Sequence, residues 1–222
     1  MRPLLLTVLL LTTATSLSAQ FRPTISLSAG SNISTVRWYN PFELNGQTIP
    51  SNEYDETAFG FQAGLSVELP ISSTFGVVVS PTFSRRGFSA NEEISGVASR
   101  VRLDYFDLPV LFRVAPIDRF FIEAGPAISY MFRAETIEEG KPVGNEEILG
   151  KLYNDFDLSA VLGLGYVVNE RLTVNLRACH GFLTVIDAQF TDGNGESLVD
   201  GSEPKLLNQS LQLSVQYAIL NP

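Results

Sequence analysis

The residues with the greatest chemical reach are few. His180 is the single histidine, and Cys179 beside it the single cysteine. With Ser210 or Asp187, His180 could form a hydrolytic site, which requires a nucleophile within hydrogen-bond reach of the base. The position two residues on, sharing its strand face, is Phe182, so the local sequence supplies no such nucleophile. A zinc site needs more His and Cys ligands than this chain owns, and adjacent strand residues point to opposite faces. One cysteine also precludes an intramolecular disulfide. Asp192-Gly193-Asn194-Gly195-Glu196 alternates oxygen ligands with glycine, as calcium loops do. It lacks EF-hand context, and Asn194-Gly195 is a turn dipeptide. No catalytic residue, cofactor or metal ligand is assigned, and a non-enzymatic chain is expected.

A second set of residues is chemically notable for its placement. Glu68, Asp107, Arg113, Glu123, Asp157 and Arg177 each fall mid-segment on the polar side of an alternating apolar stretch. Opposite charges so placed can pair across the inside of a barrel, as a structural network.

The segments that must position them are strands. In Thr57–Leu69, Phe59, Phe61, Ala63, Leu65, Val67 and Leu69 share one face, and Gly60, Gln62, Gly64, Ser66 and Glu68 the other. Residues two apart lie on opposite sides of a helix, so only a strand fits. The same alternation recurs in Thr24–Val36, Phe75–Arg86, Val101–Val114, Phe120–Arg133, Asp155–Val168, Leu172–Leu183 and Leu207–Leu220. Eight strands are expected. Pro70–Thr74, Ala115–Asp118 and Asn169–Arg171 are short connections; Arg37–Glu56, Gly87–Arg100, Ala134–Asn154 and Asp187–Leu206 are long. Short periplasmic turns alternating with long outer loops are the bacterial outer-membrane pattern, and an even strand count leaves both termini in the periplasm.

Two features turn the apolar face outward. The polar face is rich in small residues, including Gly60, Gly64, Gly125, Gly163 and Gly165, as a narrow eight-stranded interior requires. It also carries the six charges named above. Phe59, Phe75, Phe106, Phe120, Phe132, Phe156, Tyr166 and Tyr217 fall near strand ends, where rings form interfacial girdles. The expected fold is an all-β, eight-stranded antiparallel up-and-down transmembrane barrel with a polar, side-chain-filled interior. A soluble lipocalin-type barrel, with its apolar face inward, is the alternative.

Met1–Ala19 has the form of a cleaved signal peptide: Arg2, then apolar Leu4–Leu11, then small Ser16, Ser18 and Ala19. Residues 20–222 would form the barrel domain. The 222-residue chain carries a net charge of −9, which argues against nucleic acid as a partner. Acidic residues concentrate in the long connections. Ala134–Asn154 holds Glu135, Glu138, Glu139, Glu146 and Glu147, and Asp187–Leu206 holds Asp187, Asp192, Glu196, Asp200 and Glu203.

These stretches resemble the PorT-like outer-membrane β-barrel family. The resemblance lies in Gly60–Ser72, Ser80–Phe88, Asp104–Val114, Phe120–Phe132, Phe156–Val168 and Leu211–Ile219, and so runs through the whole barrel region. Its most specific piece is Tyr105-Phe106-Asp107-Leu108-Pro109-Val110-Leu111, followed by Ala124-Gly125-Pro126. It implies an outer-membrane barrel of a Gram-negative envelope, without a shared chemistry. The chain departs from the common pattern at its end, Tyr217-Ala218-Ile219-Leu220-Asn221-Pro222: either Tyr217 stands in for the terminal aromatic that insertion machinery recognises, or the tail weakens that recognition. The expected partners are outer-membrane lipid and lipopolysaccharide, that machinery, and an unidentified surface protein met by the acidic loops. A narrow solute pore is a further alternative.

Overall fold

The computed structural model describes residues 22–39, 42–44, 47–49, 56–90, 99–138, 141–143, 153–186, 199–200 and 205–221. Eight long strands dominate. They are β1 (Thr24–Tyr39), β2 (Glu56–Pro70), β3 (Phe75–Val79 and Thr82–Ala90), β4 (Ser99–Ile117), β5 (Phe120–Glu138), β6 (Phe156–Val167), β7 (Leu172–Thr184) and β8 (Lys205–Leu220). β3 is in two pieces at Ser80-Pro81, where Pro81 has no N–H to give the ladder, although Ser80 N still donates to Pro109 O and Pro81 O accepts from Leu65 N.

Each strand pairs antiparallel with its successor, and β8 closes onto β1 from Ile25↔Leu220 to Tyr39↔Lys205. Closure removes the open edge that would leave backbone donors unpaired in lipid.

The three short connections are tight turns with local hydrogen bonds. The Ser72 hydroxyl accepts from the Thr74 and Phe75 amides, at 3.2 and 3.0 Å. The Asn169 side chain accepts from the Arg171 and Leu172 amides, both at 2.9 Å. Between β4 and β5, Asp118-Arg119 makes the turn and Arg119 takes a positive φ of 69°. At the opposite end the strands outrun the sequence expectation. β3 reaches Ala90 and β5 reaches Glu138, and Lys141–Val143 folds back to pair with β5. Glu135 and Glu138, expected in a loop, therefore lie in β5. Val199–Asp200 pairs with Phe42–Leu44, which pairs with Gln47–Ile49.

Burial decides which face is which. Phe61 is 47% exposed and Leu162 is 60% exposed, and both point outward, as do Leu65, Phe106, Leu108, Val110, Ile122, Leu164, Leu213 and Val215. Ser66, Gln62, Asp107, Glu123, Asn175, Arg177, Gln212 and Ser214 are buried inside. This is the reverse of a lipocalin-type barrel, so that alternative fails. Outward rings gather towards both ends. Phe75 stacks on Phe112 and Phe120 meets Tyr166 near the short turns, while Tyr130 meets Phe156 farther up. From Phe120 to Tyr130 along β5 is about 34 Å of strand, or about 26 Å of membrane thickness at a tilt of ~40°.

Candidate functional site

The barrel interior is layered. Towards the short turns, Glu123 is fully enclosed and its carboxylate holds two arginines. Arg177 Nε donates to Oε1, and Arg113 Nη2 donates to Oε2 at 3.1 Å. Arg113 also donates to Glu68. Glu68, Arg113, Glu123 and Arg177 are thus one chain of four alternating charges, drawn from β2, β4, β5 and β7. Register explains the meeting: Arg113 pairs with Glu123, Glu123 with Gly163, and Gly163 with Arg177.

Glycine creates the room. A Cβ at Gly163 would lie 2.8 Å from Glu123 Cγ, and one at Gly165 would lie 2.0 Å from Phe121 Cζ. The Phe121 ring, seated on Gly165, carries the Arg113 guanidinium 3.7 Å from its centroid. The small residues of the polar face are therefore the spaces into which the next strand's large side chains fit.

The remaining two expected charges take other partners. Asp107 Oδ2 accepts from Arg86 Nη2 and from the Ser84 hydroxyl, both at 2.6 Å. Asp157 accepts from Asn208 Nδ2 at 3.3 Å and from the Leu183 amide at 3.3 Å. Asn208 Nδ2 lies 3.0 Å from the Tyr105 hydroxyl, and the Arg86 guanidinium sits 5.0 Å from the Tyr105 ring centroid. Arg86, Ser84, Tyr105 and Asn208 were not among the expected network. Arg86, Ser84 and Tyr105 fall on the polar face of the alternation, which was the signal available; Asn208 lies near the start of its strand, where no alternation had yet been established.

Above these charges the interior changes character. Val36, Phe88, Val101, Leu103, Tyr105, Met131, Ala134, Val185 and Leu206 form a buried apolar cluster, with Tyr153 and Ile186 packed against it. Its members come from β1, β3, β4, β5 and β8 and from Val185 just after β7, at the long-loop end. Burial pushes the Tyr153 hydroxyl up to about 12. Between this cluster and the four-charge chain, the cavity bounded by Gln62, Arg86, Asp107, Ser159, Arg177 and Gln212 measures about 20 Å³. That is close to the space of a single water.

The His180 ring lies on the outer wall, 3.2 Å from Gln209 Nε2 and edge-on to Phe182. Ser210 is buried on the inner face opposite Cys179, so the structure does not bring it to His180. His180 instead borders a shallow outer groove of about 560 Å³ with Ile33, Leu162, Ala178 and Leu211. Asp187, the Asp192–Glu196 stretch and the loop acids Glu139, Glu146, Glu147 and Glu203 lie outside the described residues.

Solved structures of small outer-membrane barrels superpose on this chain. Ail, the attachment invasion locus protein of Yersinia pestis, is 13% identical, with 89% of this chain and 99% of that one covered and a TM-score of 0.45. Neisserial surface protein A is 11% identical, with 86% and 96% covered and a TM-score of 0.46. Outer membrane protein W of E. coli is 16% identical, with 87% and 97% covered and a TM-score of 0.35. No curated protein matches the sequence. A family model, the outer membrane protein beta-barrel domain, matches residues 16–187, well over half of the chain. A closed ring of eight strands, apolar outside and charged within, together with that match, makes this chain a member of the outer membrane protein beta-barrel domain family, resident in the cell outer membrane.

Proposed function

We propose that this protein is a non-enzymatic barrel whose interior is a structural plug and whose work is done by its four long loops at the cell surface. The observation that carries this is the filled interior. An apolar cluster spans the long-loop mouth, and a chain of four paired charges spans the section beneath it. A side-chain-filled barrel of eight strands leaves the loops as its variable surface. Within this reading Met1–Ala19 is a cleaved leader, insertion proceeds through the barrel-assembly machinery, and the chain is of the PorT-like kind. The six charges Glu68, Asp107, Arg113, Glu123, Asp157 and Arg177 rigidify the wall and carry no chemistry. The acidic loops meet lipopolysaccharide-bound cations or a basic surface protein.

Planar-bilayer recording of the purified full chain tests the plug. Silence is expected, and stepwise conductance would replace this reading by a narrow pore. A chain with Glu146, Glu147, Asp192, Glu196 and Glu203 changed to their amides tests the loops. Restored to cells lacking the protein, it is expected to leave the envelope sensitive to chelator and bile salt. Full protection by the neutral loops would remove them from the function.

A further inference from the structure

On the outer wall, β3, β4 and β5 carry four arginines at the long-loop end. Arg85 pairs across the ladder with Asp104, and Asp104 with Arg133. One outward step up, Arg102 pairs with Glu135, and beyond it Arg100 pairs with Ile137. A break in register opposite Asp104 and Tyr105 sets this up. It turns Phe132 and Arg133 outward in succession, so an aromatic ring and a cation come from neighbouring positions.

The ion pairs within the patch do not cancel what it shows to the outside. Asp104 takes a bidentate grip from Arg85, at 2.7 and 2.8 Å, and Glu135 bridges Arg133 at 2.6 Å and Arg102 at 3.3 Å. The carboxylates are the covered partners, with side-chain exposures of 4% and 11%, against 27%, 36% and 48% for Arg85, Arg102 and Arg133. Among the described residues the patch brings together four arginines and two carboxylates, on a chain whose net charge is −9. The acids act as struts that hold guanidinium groups towards the surroundings.

Directly beneath lies a run of outward rings. Phe83 sits 5.5 Å from Phe61 and 6.0 Å from Phe132, and Arg85 lies 5.1 Å over the Phe61 ring. Phe106 pairs with Phe83 on one side and Tyr130 on the other. Rings below and guanidinium groups above are the profile of a bilayer boundary, where an outward arginine costs far less than at the midplane. From β3 to β5 the first arginine row spans about 10 Å, and Arg102 stands about 7 Å higher. Planar, forked donors at this spacing suit phosphate oxygens.

We propose that this face of β3–β5 is a docking surface for the phosphorylated headgroup of an outer-leaflet glycolipid, with its acyl chains lying along Phe61, Phe83, Phe106 and Phe132. The proposal rests on the membrane reading above, in which the long-loop end faces outward.

The test measures binding of purified lipopolysaccharide to the folded full chain in neutral detergent. The variant R102Q/R133Q/E135Q removes two cations and their shared strut, leaving the Arg85–Asp104 pair intact. Heat-modifiable gel migration confirms folding of every variant. At least a tenfold loss of affinity is expected for the triple variant and for dephosphorylated lipopolysaccharide on the parent, with a smaller loss for R102K. R37Q, on β1, is expected to bind within twofold of the parent. Equal binding by parent and triple variant, or equal binding of the dephosphorylated lipid, overturns the proposal. Displacement by millimolar inorganic phosphate overturns the lipid as occupant in favour of free anion. Labelling of a cysteine placed within 91–98 on intact cells reports orientation separately. An unlabelled cysteine would refute the outward reading, while a labelled one together with equal binding by parent and triple variant would refute the site alone.

Discussion

Glu123 is the position at which one atom change should cost most. Its carboxylate is 1% exposed and is shared by Arg113 and Arg177, themselves buried. Glu123→Gln preserves shape but removes the charge. Arg113 retains Glu68, whereas the ion pair to Glu123 is the one in which Arg177 is held. A buried guanidinium stripped of its carboxylate costs about 3–5 kcal/mol, or roughly two to three and a half decades in the unfolding equilibrium. Urea unfolding in lipid vesicles, followed by the fluorescence of the single tryptophan, Trp38, reads this directly. The second arm is E123Q combined with R177Q, which removes both partners and leaves Arg113 on Glu68. It should recover about 2 kcal/mol relative to E123Q alone, a coupling that a double-mutant cycle isolates. The reasoning is refuted if E123Q lies within ~1 kcal/mol of the parent, or if the two single costs simply add.

Three further outcomes follow from the same geometry. Gly165→Ala should lose about 1–3 kcal/mol in that unfolding assay, because its Cβ meets the Phe121 ring, while Gly76→Ala, whose nearest neighbour is 3.3 Å away, should lose less. Leu162→Arg, a charge on the outward face, should cost about 2–4 kcal/mol in vesicles and fold poorly into them. Tyr153 should titrate by ultraviolet absorbance near 12, above the ordinary value of 10. The native state then holds its proton longer than the unfolded chain. Its contribution to stability is complete below pH 10 and is lost as pH rises through about 12; a Tyr153→Phe chain should lose this alkaline dependence.

The strands were legible because each obeys a period of two, a property of the residue order that tertiary packing does not override. Thr57–Leu69 was placed to within a residue of β2 at each end. The long-loop boundaries were not legible in the same way. Glu135 and Glu138 continue β5 after the register break at Phe132-Arg133, and that break reverses parity, so the polar residues beyond it no longer read as part of one alternating strand. The apolar mouth was hidden for a related reason. Val101 and Leu103 are apolar on the parity that also carries Tyr105, Asp107 and Arg113, and only closure brings them against Val36, Phe88 and Leu206.

By itself the order of residues determined that this chain makes strands, that each has one apolar face, and that the connections alternate short and long. Those are local properties, set by side-chain alternation and turn chemistry within a few residues. Pairing was decided by the tertiary structure. Whether Arg113 meets Glu123 or Asp107, whether Asp157 meets a cation or Asn208, and whether Gly165 is empty or filled by Phe121 depend on register between strands distant in sequence. Register is set by closing the whole ring at once. The same holds for the arginines of β3, β4 and β5, which are scattered along the chain from residue 85 to residue 133 and become one surface only when the barrel closes.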